Sequence, residues 1–131
     1  VPDWRRIVWL PGTFAVCRLP AHATIAIPPS RGTLFSLTRT DSETSMVCEE
    51  RDAPPDARCE MGWSAFRLDG PIPFETTGVL ASLSSSLAQA DIGIFAISTY
   101  DTDVVLMKSS DVPRAEAALR ATGFTFNAPR G

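Results

Sequence analysis

Ile92-Gly93-Ile94-Phe95-Ala96-Ile97-Ser98-Thr99-Tyr100-Asp101-Thr102-Asp103 is the stretch on which the fold turns. Apolar residues fall on both faces, with Ile92, Ile94 and Ala96 on one and Phe95 and Ile97 on the other. That pattern predicts a central strand over 92–100, covered on both sides. Asp101 and Thr102 turn the chain, and 103–108 returns as a second apolar strand, which makes a hairpin. Upstream, Leu34-Phe35-Ser36-Leu37-Thr38-Arg39-Thr40-Asp41-Ser42-Glu43 repeats the same order of apolar, aromatic, hydroxyl and acidic residues. A weaker match pairs Ala15-Val16-Cys17-Arg18-Leu19 with Ala65-Phe66-Arg67-Leu68. The chain therefore reads as two unequal copies of one unit.

Outward from the hairpin, the second copy is complete. Residues 64–68 form a short strand, and Asp69-Gly70-Pro71-Ile72-Pro73 is a turn. Thr76 and Thr77 offer an N-cap for a helix over about 78–90, with Val79, Leu80, Leu83 and Leu87 on one face. After the hairpin, Asp111 caps a second helix, Pro113 is tolerated in its first turn, and Gly123 stops it. Ala115, Ala118 and Leu119 form its inner stripe, and 124–126 is a last strand. The order is β-α-β-β-α-β, an α+β ferredoxin-like arrangement.

The first copy is compressed. Strands are expected over 7–10, 14–19, 34–40 and 44–48. Pro28-Pro29 and Gly32 exclude a full helix between 20 and 31. One helical turn is expected within 53–61. We accordingly divide the chain into a truncated unit, 1–62, and a complete unit, 63–131.

Composition narrows the function. The chain has 131 residues, 44% hydrophobic and 21% charged, with a net charge of -3. It has no basic tract to grip nucleic acid. No apolar run is long enough to span a bilayer, and the start does not read as a signal peptide. The three cysteines, Cys17, Cys48 and Cys59, lack metal-ligand spacing, and His22 is the sole histidine. They read as small reduced hydrophobes of a cytoplasmic protein. The shortage of reactive groups argues against an enzyme, and no cofactor or metal motif is present. Trp4, Trp9 and Trp63 read as packing or interface anchors, and Arg18 and Arg67 as surface or ion-pair residues.

Thr77-Gly78-Val79-Leu80-Ala81-Ser82-Leu83, taken with 92–103, resembles the ACT-domain proteins. The likeness is to the small tandem ACT proteins of bacteria, related to cytosolic arginine sensors, and it runs over roughly 14–126. It implies tandem ferredoxin-like units, the first truncated and the second complete. It also implies binding of an amino acid or similar small ligand between ACT units, usually by side-by-side pairing of sheets, and hence a homodimer through sheet or helix pairing. The first copy, without a glycine-led helix of its own, departs from a complete ACT unit.

A free amino acid carries a carboxylate and an ammonium. Backbone N–H groups at a helix N-terminus suit the first, and a carboxylate suits the second. The candidate ligand residues are therefore Gly78, Val79 and Leu80 on one wall and Ser98, Thr99, Tyr100, Asp101, Thr102 and Asp103 on the other. Thr38, Thr40 and Asp41 would come from another unit. Plainer roles stand beside these: Gly78 can simply start the helix, and Asp41 and Asp101 are residues that hairpin turns favour. The functional expectation is a ligand-sensing regulatory module. The alternative is a structural dimerisation or protein-interaction module that needs no small ligand.

Overall fold

The β-α-β-β-α-β order expected of the second half is present in the computed structural model, which describes residues 3–27 and 32–127. Contacts divide the chain into two units, Pro11–Trp63 and Val1–Leu10 with Ser64–Gly131. The Pro28-Pro29 pair lies outside the described residues.

The larger unit begins with β1, Arg6–Trp9. It continues with the end of β5, Arg58–Leu68, then α1, Val79–Gln89, β6, Phe95–Ser98, and β7, Asp103–Lys108. Helix α2, Val112–Ala121, and β8, Thr125–Phe126, close it. The strand at 7–10 was expected in the first copy, yet it belongs here. β1 lies between β5, to which it is antiparallel with Ile7 opposite Leu68, and β8, to which it is parallel with Ile7 opposite Phe126. The order is thus β8-β1-β5-β7-β6, one strand more than a plain ferredoxin-like sheet. Ile7 explains the placement, because it is fully buried in this unit's core.

That core joins Ile7, Phe66, Leu68, Val105 and Met107 of the sheet to Leu83, Leu87, Ala115 and Leu119 of the helices. Each large aliphatic side chain buried there contributes about 1.5–3 kcal/mol. The helices pack on each other and share a 2.8 Å bond between the hydroxyls of Ser86 and Thr122. Trp4 and Trp9 pack against this core, and the Trp9 indole Nε1–H donates to Glu116 at 2.9 Å.

Several expectations are corrected. Strand β6 is not the doubly covered strand: it is half-exposed and, among the described residues, pairs with β7 alone. The doubly buried strand is β7, where Val104, Val105, Leu106 and Met107 are all buried. Neither helix has a side-chain N-cap bond. Asp111 instead pairs with Arg114 at 2.8 Å. Residues 58–61 are strand rather than helix; the turn expected within 53–61 is a tight one closed by the Ala57 N–H on the Pro54 carbonyl at 3.2 Å, and a 3-10 turn at Glu50–Asp52 precedes it.

In the smaller unit, β2, Phe14–Leu19, pairs with β4, Thr44–Glu49, and with the first half of β5. β3, Ser36–Arg39, lies at the edge beside β4. All pairings are antiparallel. The register between β2 and β5 shifts between Phe14 and Val16. Facing that shift, Gly62 sits at φ 80, and its N–H donates to the Glu50 carboxylate at 2.7 Å. Ala15, Cys17, Leu19, Met46 and Cys48 form this unit's core. No helix longer than the 3-10 turn occurs among its described residues.

Candidate functional site

Residues 69–78 lead into α1, and Gly70 allows them to pass close to the hairpin. A Cβ on Gly70 would lie 2.9 Å from the Asp101 carbonyl oxygen. That carbonyl accepts the Ile72 N–H at 2.7 Å. The loop turns again where the Thr76 N–H donates to Pro73 at 3.0 Å. Gly78 then adopts φ 79, a left-handed conformation that suits glycine. It is the residue preceding α1, in the place where Thr76 or Thr77 was expected to cap. Its carbonyl takes the first helical bond, from Ser82 at 2.9 Å. The N–H groups of the first helical turn therefore have no intrahelical acceptor and present partial positive charge.

The hairpin forms the facing wall. Thr99 and Thr102 close its tip: the Thr99 N–H donates to the Thr102 carbonyl at 2.8 Å, and the Thr102 N–H donates to the Thr99 hydroxyl at 3.2 Å. The Thr102 hydroxyl reaches back to the Leu68 carbonyl at 2.8 Å. Below the tip, the Ser98 hydroxyl donates to Asp103 Oδ1 at 2.6 Å.

Between the walls is a cavity of about 190 Å³. Ile72, Pro73, Phe74, Thr76 and Val79 line one side, and Ser98, Thr99, Tyr100, Thr102 and Asp103 the other. That is room for several waters or one small ligand. Phe74 and Tyr100 stand at its rim, 71% and 80% exposed, with rings edge-to-face at 4.9 Å between centroids. Asp103 is the one charged lining residue among the described residues.

Six of the residues expected at a site are thus brought together: Val79, Ser98, Thr99, Tyr100, Thr102 and Asp103. Gly78, Leu80 and Asp101 are not in the lining. Asp101 contributes its backbone carbonyl, which accepts the Ile72 N–H. Thr38, Thr40 and Asp41 belong to the smaller unit and shape its own hairpin. Thr38 stands opposite Ser45, the Thr40 hydroxyl accepts the Ser42 and Glu43 N–H groups at 3.1 and 3.2 Å, and Asp41 accepts the Ser42 hydroxyl at 3.1 Å. Sequence reasoning missed Ile72, Pro73, Phe74 and Thr76. The available signal was Phe74, a large aromatic in a Gly- and Pro-rich loop with no periodic partner to bury it.

Among the described residues, no three His, Cys, Asp or Glu side chains gather to hold a metal ion. Among the same described residues, no helix is long and apolar enough to cross a membrane. His22 is exposed in the loop after β2.

A family model described as the ACT domain matches residues 58–121, and a second model, for an N-terminal domain, matches residues 12–56. Comparison with curated proteins finds no match. A crystal structure of an Agobacterium tumefaciens protein is similar, at 36% identity and a TM-score of 0.85 over 92% of this chain and 90% of that one. A Vibrio cholerae protein of unknown function, described as a possible transport protein, shares 16% identity and a TM-score of 0.69 over 91% of each chain. The regulatory subunit of aspartate kinase from Thermus thermophilus shares 11% identity and a TM-score of 0.58 over 86% of this chain and 93% of that one. At their low identities the last two show the fold alone. The matched segment 58–121 carries the strand, glycine-led helix and hairpin that build the cavity, and the chain belongs to the ACT-domain family.

Proposed function

We propose that this chain is a non-catalytic regulatory module of the cytoplasm that binds a free amino acid, or a similar small zwitterion, in the cavity between α1 and the β6–β7 hairpin. The observation that carries this reading is that one cavity of about 190 Å³ is lined both by Val79, which opens the α1 turn whose backbone amides lack intrahelical acceptors, and by Asp103. A ligand carboxylate suits the amides and a ligand ammonium suits Asp103. Ile72, Pro73 and Val79 offer an apolar floor for a side chain. The likeness in fold to an aspartate kinase regulatory subunit of similar length supports a role in regulation.

A thermal shift series on the full chain with each common amino acid at millimolar concentration tests the proposal. A ligand that binds only the folded state raises Tm in proportion to ln(1 + [L]/Kd). A flat response across the series, confirmed by calorimetry, would reject it.

A second reading rests on β6, whose outer edge has no strand partner among the described residues. Such an edge is suited to pairing with another copy. A homodimer through β6 would serve association without a ligand. Sedimentation decides this point: a dimer with no response to amino acids favours the second reading, and a ligand-responsive chain favours the first.

A further inference from the structure

All three cysteines fall in the smaller unit, and two of them face each other. Cys17 of β2 and Cys59 of β5 are directly opposite in the antiparallel register, with their Sγ atoms 2.7 Å apart. Cys48 comes from β4, on the other side of β2, where it stands opposite Ala15. All three thiols are free. We propose that Cys17 and Cys59 are a site of reversible oxidation, closed to a disulfide by a hydroperoxide, with Cys59 the thiol that reacts first.

Register selects this pair from the three possible ones. Directly opposite residues on antiparallel strands have Cα atoms about 4.5–5.5 Å apart. A disulfide accepts about 4.4–6.8 Å, so the bond forms without moving either strand. Cys17 and Cys48 are instead diagonal neighbours, because Cys17 stands opposite Met46. Their thiols are within hydrogen-bond reach, but the Cα atoms of a diagonal pair are about 7–8 Å apart, so a disulfide there would require the strands to move. Cys48 and Cys59 lie on opposite sides of β2 and are more distant still.

Exposure selects the order of events. Cys59 is half-buried, whereas Cys17 and Cys48 are buried. A small oxidant meets Cys59 first. The Cys59 thiolate attacks one oxygen of the hydroperoxide, the O–O bond breaks, and the leaving oxygen departs as an alcohol, or as water when the oxidant is hydrogen peroxide. This leaves a sulfenic acid on Cys59. The Cys17 sulfur, losing its proton, attacks that sulfur; the S–S bond forms, the S–O bond breaks, and water leaves. In sum, two thiols and one hydroperoxide give one disulfide, one alcohol or water, and one further water. Burial, reinforced by the hydrogen bond with Cys59, pushes the Cys17 thiol well above its ordinary range. A thiol held protonated is the poorer nucleophile toward an oxidant in solution, which agrees with Cys59 reacting first. Exchange with an external dithiol restores both thiols.

The test treats the reduced full chain with hydrogen peroxide, unfolds it, alkylates the remaining thiols and maps the peptides by mass. The expected product is one intrachain link between the Cys17 and Cys59 peptides, with Cys48 alone alkylated and the chain lighter by two hydrogens. Dithiothreitol should return three alkylatable thiols. Cys59→Ser, at a half-buried position, should abolish the link, and Cys48→Ala should keep it. A link through Cys48, a link between chains, or oxidation of Cys59 beyond the sulfenic acid with no link would each overturn the proposal.

Discussion

The Ile72 N–H donates to the Asp101 carbonyl at 2.7 Å, and this bond ties the loop before α1 to the tip of the β6–β7 hairpin. Both walls of the cavity depend on it. Gly70 permits the approach, since its Cβ would meet the same carbonyl oxygen at 2.9 Å. The obstructing atom is backbone, so it cannot rotate away. Gly70→Ala should destabilise the larger unit by about 1–3 kcal/mol, the usual cost of forced overpacking. Urea unfolding of the two proteins side by side measures it, and an unchanged midpoint would show that the tie is not needed.

Gly78 offers a contrasting case. A Cβ there would meet nothing within 4 Å, so no clash arises. The cost comes from φ 79 alone, and the left-handed region penalises an alanine by about 1–2 kcal/mol. Gly78→Asn should cost less than Gly78→Ala, because asparagine visits this region more readily. Thermal melts of the pair check the order. Equal melting points would mean that the segment relaxes to another conformation.

These two glycines mark the boundary of what the sequence disclosed. The hairpin and both helices follow from local patterning, such as Leu83 and Leu87 at helical spacing and the apolar run 103–108, so they were legible. β1 was not. Its partners, Leu68 and Phe126, are far along the chain, and nothing within 6–9 specifies them. The apolar residues at 92–97 suggested a central strand, but β6 runs only Phe95–Ser98 at an edge, and the doubly buried strand is its neighbour β7. At the site, the hydroxyl-rich hairpin announced itself. Ile72 and Phe74 reach the cavity through a loop whose path is set by Gly70 and a long-range backbone bond. The cysteines looked unrelated in sequence because it takes the β2–β5 register to place Cys17 opposite Cys59.

Asp103 tests the proposed ligand polarity. Its Oδ1 already accepts the Ser98 hydroxyl at 2.6 Å, a bond that orients the carboxylate. Asp103→Asn keeps the shape and removes the charge. A ligand ammonium would lose a charge-assisted bond worth about 1.5–3 kcal/mol, a weakening of roughly tenfold to a hundredfold. Titration calorimetry on whichever amino acid shifts Tm reads this directly. Affinity within twofold of the parent would remove Asp103 from the ammonium contact.

Alkaline pH should destabilise the reduced protein. Burial pushes the Cys48 thiol up to about 11, and burial pushes Cys17 up as well, with the Cys59 hydrogen bond adding to it. In the unfolded chain both return to the ordinary thiol range, about 8.5. Above that range the unfolded state sheds protons that the folded state keeps, so rising pH favours unfolding. The contribution is complete below about pH 8.5, and for Cys48 it is lost as pH climbs to about 11, at no more than about 1.4 kcal/mol per pH unit. Cys17 extends the loss to higher pH. Urea midpoints measured with reductant at about pH 8 and about pH 10 should fall in the parent and fall less in Cys48→Ala, which has one fewer buried thiol to hold protonated. An identical fall in both proteins would show that the alkaline loss comes from groups other than this thiol.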